Sequence, residues 1–119
     1  MMEKNTKDTQ ETLAFRAMYM STGLDAATCG EMLGVSRGYV YNVLGGSQQP
    51  SPRVMRESAL LCQDIQGAAD GLMSDFRALP EGQSMSVKIH GDAQMVVAGR
   101  FLAMLSPEER ARVNLIVQK

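Results

Sequence analysis

The chain has 119 residues, of which 45% are apolar and 21% are charged, and its formal net charge at pH 7 is −1. This length predicts one domain, or a small domain with an appendage. Residues 1–60 carry six basic and six acidic side chains, and residues 61–119 carry six and seven. The balance excludes a globally basic protein, so any nucleic-acid surface must be a local patch.

The two cysteines, Cys29 and Cys62, are too few for a disulfide framework. Both lie within apolar helical patterns, so we expect reduced core thiols and a cytoplasmic protein. The sequence has no signal-peptide pattern and no apolar run long enough to span a membrane, which predicts no membrane partner. Ten Met and no Trp favour an adaptable core with few aromatic side chains.

The first predicted elements are an arm and a helix. Residues 1–9 are polar and are expected to form a flexible arm. A helix is predicted over 10–21, and Gly23 ends it. Apolar residues at helical spacing predict which face of this helix is buried. They are Leu13, Ala14, Ala17 and Met18.

Two short helices are predicted next. Asp25 is a good N-cap for a helix over 26–33, and Gly34 is expected to end that helix in the left-handed conformation. Ser36 then caps a helix over 37–44, which a pair of glycines ends.

A fourth helix begins cleanly, with Ser51 as N-cap and Pro52 at the first helical position. Gly67 leaves open whether it is one long helix or two. The turn at 79–83 is predicted to separate an N-terminal domain, residues 10–79, from a C-terminal unit, residues 84–119. The apolar positions of the helix are Val54, Leu61, Ile65, Ala68, Leu72 and Leu79.

Residues 84–90 give the clearest strand signal, because apolar and polar side chains alternate there. A single strand cannot satisfy its own backbone, and no second strand in the sequence is comparably strong. We therefore expect this strand to pair with its own copy in a second chain or, as the weaker alternative, with the N-terminal arm. The residues predicted to form the dimer are Met85, Val87, Ile89, Val96 and Phe101.

Two helices are predicted to complete the C-terminal unit. The first covers 93–105, with Asp92 as its cap. The second covers 107–117, because Ser106 and Glu109 have the spacing of a capping box around Pro107.

The run from 23 to 46, "GLDAATCGEMLGVSRGYVYNVLGG", has the pattern of two short helices that cross steeply through a tight turn. Gly30 is small at a point where the helices would meet closely, and Val35 would fill the gap between them. This is the helix-turn-helix pattern, whose second helix lies in the DNA major groove. The residues expected to face inward are Cys29, Met32, Leu33, Val40, Val43 and Leu44.

The same run resembles the lambda-repressor-like (Cro/CI, XRE-type) DNA-binding domains over about residues 10–65. The following "QQPSPRVMRESALL" is similar to the fourth helix of that family. The sequence departs from the family pattern in two ways. Ala26 stands where the family often has a phosphate-binding Gln, and Cys29 and Gly30 replace Leu and Ala, which predicts looser packing. The expected fold is mainly α: a helix-turn-helix domain of four or five helices, plus a C-terminal dimerisation unit of one strand and two helices.

The resemblance implies that nine residues contact DNA: Ser36, Arg37, Gly38, Tyr39, Tyr41, Asn42, Ser47, Gln48 and Arg53. Arg37 is the best candidate to read guanine O6 and N7. Tyr41 would touch a thymine methyl or a sugar, and Asn42 an adenine or a phosphate. Each also has a plain interpretation as a surface residue, and Tyr39 as one that packs back toward the preceding helix.

Catalytic and metal-binding patterns are absent from the sequence. His90 is the single His and has no cysteine at ligand spacing. Glycine-rich phosphate loops and C-x-x-C pairs are also missing. We therefore expect no enzyme activity, no cofactor and no metal.

The predicted function is a homodimeric repressor that binds double-stranded DNA at a near-palindromic operator. Its size and resemblance associate it with phage or other mobile elements. The alternative is a helix-turn-helix antitoxin or anti-regulator, whose apolar segment 93–105 binds another protein. A third possibility is a helical domain that has lost DNA binding.

Overall fold

The computed structural model describes residues 9–118, which form six helices and two strands. They divide into two compact units, one that ends at Gln63 and one that begins at Asp64. The predicted arm, apart from Thr9, lies outside the described residues. The elements are α1 (Gln10–Thr22), α2 (Ala26–Leu33), α3 (Arg37–Leu44), α4 (Pro52–Arg77), β1 (Met85–Ile89), α5 (Asp92–Ala103), α6 (Pro107–Arg110) and β2 (Val113–Val117).

Helix α1 has nearly the predicted bounds, but the predicted buried face is wrong. Leu13, Ala14 and Ala17 are exposed and Met18 is half-buried, whereas Thr12, Phe15 and Thr22 are buried. The two threonines are buried at low cost because their hydroxyls donate to backbone carbonyls. Thr12 Oγ1 lies 3.0 Å from the Thr9 oxygen, and Thr22 Oγ1 lies 2.6 Å from the Tyr19 oxygen. The spacing of apolar residues therefore predicts the wrong buried face for this helix.

The predicted N-caps of α2, α3 and α4 are confirmed. The side chains of Asp25, Ser36 and Ser51 accept hydrogen bonds from backbone N–H groups three residues ahead, at 2.8, 3.0 and 3.1 Å. Gly34 ends α2 with a φ of 74°, a conformation that glycine adopts without strain. Helix α4 is continuous through Gly67, and the division between the two compact units falls within it.

The partner predicted for the first strand is wrong, and so is the last helix. β1 pairs in parallel with β2 of the same chain, from Met85 opposite Val113 to Ile89 opposite Val117. The capping box of Ser106 and Glu109 forms as predicted, but α6 is only one turn long. Three of the five residues in 113–117 are β-branched, which favours a strand over a continued helix. Helices α5 and α6 provide the crossover that a parallel pair requires.

Helix α5 begins one residue earlier than predicted, and its cap differs. Asp92 is the first helical residue, and Gly91 precedes it with a φ of 102° and no side-chain cap. The Gln94 side chain accepts the His90 N–H instead. The structure thus corrects the prediction that Asp92 is the cap.

One apolar core holds the second unit together, and it consists of Phe76, Val87, Ile89, Ala98, Phe101 and Leu105. The rings of Phe76 and Phe101 meet edge to face with centroids 6.0 Å apart. Val87, Ile89 and Phe101 were assigned to a dimer interface, but they are buried within their own chain; Met85 and Val96 are half-buried. Val87, Ile89 and Phe101 thus serve the core of the second unit, and the dimer contact assigned to the five residues stays a prediction.

Among residues 9–118, no helix combines the length and apolar character needed to cross a membrane.

Replacing Phe101 with Ala is expected to destabilise the second unit by about 3–5 kcal/mol, because a fully buried aromatic ring is removed from its core. Urea denaturation followed by circular dichroism measures the change in the free energy of unfolding. Met104→Ala, at a side chain that is 42% exposed, is the control and should cost less than about 1 kcal/mol. Equal losses in the two variants would contradict this account of the core.

Candidate nucleic-acid interface

The contact between α2 and α3 depends on the absence of a side chain at Gly30. A Cβ built there would lie 2.8 Å from the Val35 carbonyl oxygen and 3.3 Å from the Ser36 carbonyl carbon. Real Cβ atoms do not approach backbone so closely, so only glycine permits this spacing. Gly30 thus marks a close approach, as predicted. The expectation of looser packing at this position is wrong.

Two fully buried valines seat α3 on the first unit. Val40 and Val43 are 0% exposed, while Leu44 is half-buried. From α2, Cys29 and Leu33 are buried as predicted, but Met32 is 47% exposed, which contradicts its predicted inward position. Val35, in the turn, is half-buried. Val40 and Val43 thus commit one side of α3 to packing.

Three long-range hydrogen bonds fix the position of α3 and the helix before it. Arg16 Nη2, from α1, donates to the Leu44 carbonyl at 2.9 Å, at the end of α3. Arg53 Nη1, from α4, donates to the Leu33 carbonyl at 2.9 Å, at the end of α2. A positive charge at a helix C-terminus also interacts favourably with the helix dipole.

The third of these bonds involves Tyr39, whose hydroxyl accepts the Ser51 N–H at 3.0 Å. Tyr39 therefore joins α3 to the start of α4 and is half-buried. Sequence reasoning did not identify Arg16 at all, since its partner lies 28 residues further along the chain. It assigned Arg53 to phosphate contact alone.

The opposite side of α3 is open. Arg37, Gly38, Tyr41 and Asn42 are all exposed, and at 100° per residue they occupy one continuous side of the helix. Tyr41 is 58% exposed, a large fraction for an aromatic side chain. The structure thus brings together four of the predicted contact residues on one surface, which we call the open face of α3.

The other predicted contact residues lie at the ends of α3. Ser36 Oγ accepts the Tyr39 N–H and so caps the helix. Ser47 Oγ donates to the Asn42 carbonyl at 3.2 Å, and Gln48 is exposed beside it. The neighbouring Gln49 accepts a hydrogen bond from the Thr9 hydroxyl at 2.7 Å, so residue 9 lies against this loop.

Charge around the open face is local. Arg37 is the single charged residue of α3. The pKa of Asp25 is lowered, mainly by the hydrogen bond that its carboxylate accepts from the Thr28 N–H, with a smaller contribution from the positive charge of Arg37. Residues 9–63 contain four arginines and four acidic residues. The open face therefore carries one cation on a unit without net charge.

No group of three or more His, Cys, Asp or Glu side chains within residues 9–118 is arranged to hold a metal ion. Cys29 and Cys62 are free thiols, the first buried and the second half-buried. Burial, together with the nearby Cys62, raises the pKa of the Cys29 thiol from 9.0 to about 11.

No protein-family model matches the sequence. Comparison with curated proteins finds no match either. A functional proposal for this protein therefore depends on its own residues and their geometry.

Replacing Gly30 with Ala is expected to destabilise the first unit by about 1–3 kcal/mol, because the new Cβ meets the Val35 carbonyl. The free energy of unfolding in urea tests this. Gly67→Ala is the matched control, since a Cβ there has no neighbour within 4 Å; it should stabilise α4 by about 0.5–1 kcal/mol. Destabilisation by both substitutions, or by neither, would contradict the close approach at Gly30.

Cys29 is expected to resist alkylation at pH 8 by at least about 100-fold relative to an exposed thiol, because its raised pKa leaves little thiolate. Since the pKa is raised in the folded state, its stabilising effect is full below pH 9 and is lost as pH rises toward 11. Mass spectrometry after iodoacetamide treatment measures the first effect. In alkaline denaturation, Cys29→Ala should remove this part of the pH dependence. Alkylation of Cys29 as fast as that of Cys62 would contradict the assignment.

Proposed function

We propose that this protein is a sequence-specific DNA-binding transcriptional regulator, a homodimeric repressor that binds a near-palindromic operator through α3. The observation that carries the proposal is the division of α3 into two sides. Val40 and Val43 are fully buried, while Arg37, Tyr41 and Asn42 are exposed together. A short helix presented in this way suits the major groove, which is wide enough to admit an α-helix.

Arg37 has the leading role in base recognition. It stands at the first position of α3, and its forked guanidinium matches the two acceptors of guanine, O6 and N7. Asn42 can bond adenine, and Tyr41 can contact a thymine methyl or a sugar. Gly38 adds no side chain between Arg37 and Tyr39, so the start of the helix can approach the bases closely.

Contacts to the phosphate backbone would set the orientation of the helix. Ser36 and the free N–H groups at the start of α3 suit one phosphate, and Ser47 and Gln48 suit another. Arg53 keeps donors for a phosphate although its Nη1 is bonded to Leu33. Tyr39 fits best as a residue that holds α3 in place, because its hydroxyl is bonded to the start of α4.

The low charge of the chain has consequences for binding. A module with few cationic contacts binds non-specific DNA only modestly, and its affinity falls as salt rises. One module also makes few base contacts, so two modules on a symmetric site bring affinity into a useful range. Half-sites about one helical turn apart would fit such a dimer. Binding over a promoter would repress transcription by occlusion.

Selection of bound duplexes from a random pool tests the proposal, and a symmetric pair of half-sites is the expected outcome. Arg37→Ala should then weaken binding to the selected duplex by about 10- to 100-fold and relax the preference at one base pair of each half-site. Fluorescence anisotropy at a fixed salt concentration measures the affinity.

Arg56→Ala is the matched control. It removes the same charge from an exposed position of α4 in the same unit. Its effect should be small and similar for all duplexes. No enriched duplex at low salt would overturn the proposal, and equal effects of the two substitutions would overturn the role of Arg37.

A further inference from the structure

The outer edge of β2 carries backbone groups that the sheet does not use. Met85 donates to the Arg112 carbonyl, and Gln118 donates to the Ile89 carbonyl, both at 2.8 Å. In a parallel pair, every second residue of a strand directs its backbone N–H and C=O groups toward the partner strand. In β2 these are the even-numbered residues. The N–H and C=O groups of Val113, Leu115 and Val117 therefore point away from β1, toward the open edge. Within residues 9–118 nothing pairs with them.

The side chains of β2 are also incompletely covered. Val87 and Ile89 of β1 are 8% and 1% exposed, because they pack in the core of the second unit. Their partners in register, Leu115 and Val117, are 39% and 57% exposed although they lie on the same side of the sheet. The packing that covers β1 thus extends to Val113 of β2 but leaves Leu115 and Val117 partly uncovered.

The composition of this edge offers little protection against pairing. β2 reads VNLIV and has no charged residue and no proline, the features that usually keep edge strands apart. The other edge of the sheet, on β1, carries Lys88. A two-stranded parallel sheet is in addition marginal by itself, since parallel sheets are normally larger and covered on both faces.

We propose that the edge of β2 pairs antiparallel with the β2 of a second copy of this chain, on a two-fold axis through Leu115. In that register Leu115 faces Leu115 of the second copy, and Val113 faces Val117. Because all three residues point their backbone groups to the edge, each facing pair forms two hydrogen bonds, and every unused group of β2 gains a partner. The result is a four-stranded sheet in the order β1, β2, β2, β1.

Charge and side-chain contacts agree with this register. Arg112 would stand opposite Gln118, so no like charges face each other across the new pair. Leu115 and Val117 keep to the same face of the enlarged sheet in both copies. Their exposed surfaces then come together at its centre, where cross-strand apolar pairs stabilise a sheet.

The interface is small, which sets the expected strength of the dimer. Five residues from each copy bury less than the roughly 1,200 Å² that marks a standard interface. We therefore expect dissociation in the micromolar range, so that the protein is a monomer when dilute and a dimer when concentrated. The β2 edge would be the contact surface of the homodimer proposed above, and in this respect the inference rests on the proposed function. Dimerisation is measured without DNA, so the failure of either idea can be told from the failure of the other.

Charge substitutions at Leu115 test the axis, because this residue would face its own copy. Leu115→Lys alone and Leu115→Asp alone should each raise the dimer dissociation constant at least tenfold, since like charges meet, and a mixture of the two variants should restore pairing. Sedimentation equilibrium over a range of concentrations measures all three. Leu60→Lys is the matched control: Leu60 is 50% exposed, in the other unit, and its substitution should leave the dimer unchanged.

Hydrogen exchange on the unmodified chain is the second measurement, and it does not depend on how the variants fold. The amides of Val113, Leu115 and Val117 should gain protection as concentration rises, while that of Ser86 on the other edge should not. A wild-type chain that stays monomeric when concentrated would overturn the proposal. So would a dimer that tolerates Leu115→Lys, or amides at the β2 edge whose protection does not depend on concentration.

Discussion

The close approach of the Val35 carbonyl to Gly30 is the constraint on which the candidate interface depends. It sets how near α3 can come to α2. In this arrangement Val40 and Val43 are fully buried, and their burial fixes which side of α3 remains open. Arg37 and Tyr41 lie on the side opposite these valines and are therefore on the surface.

Much of this pair of helices was predictable from the sequence, because the signals that define it are local. The caps at Asp25 and Ser36 bind backbone three residues away, and Gly34 acts at its own position. The bonds that hold the pair in place were not predictable. Arg16 and Arg53 bind carbonyls 28 and 20 residues away, and no spacing rule connects them. The sequence therefore indicated which residues of α3 are exposed, but not the hydrogen bonds of Arg16 and Arg53 that hold α3 and α2 in place.

The second unit shows why apolar patterns alone mislead. Residues 107–117 begin with a true capping box, yet the helix ends after one turn because Val113 and its neighbours gain more from pairing with β1. The alternating pattern of β1 correctly predicted a strand. Its partner, β2, lies in the same chain, within the segment that the capping box had indicated as helix. In α1 the predicted buried face was wrong for a different reason. Polar residues occupy buried positions there, because the hydroxyls of Thr12 and Thr22 are hydrogen-bonded to backbone carbonyls.

The distance between β1 and β2 along the chain also affects how the protein folds. Facing residues of the two strands are 28 positions apart, whereas α2 and α3 are joined by a short turn. Distant contacts carry a larger loop-closure cost, so the sheet is expected to form later than the helical pair. Until it does, 113–117 is an uncharged segment of high strand propensity, a composition that promotes cross-β assembly. Pairing with β1 is therefore expected to remove this segment from intermolecular contact as the chain folds.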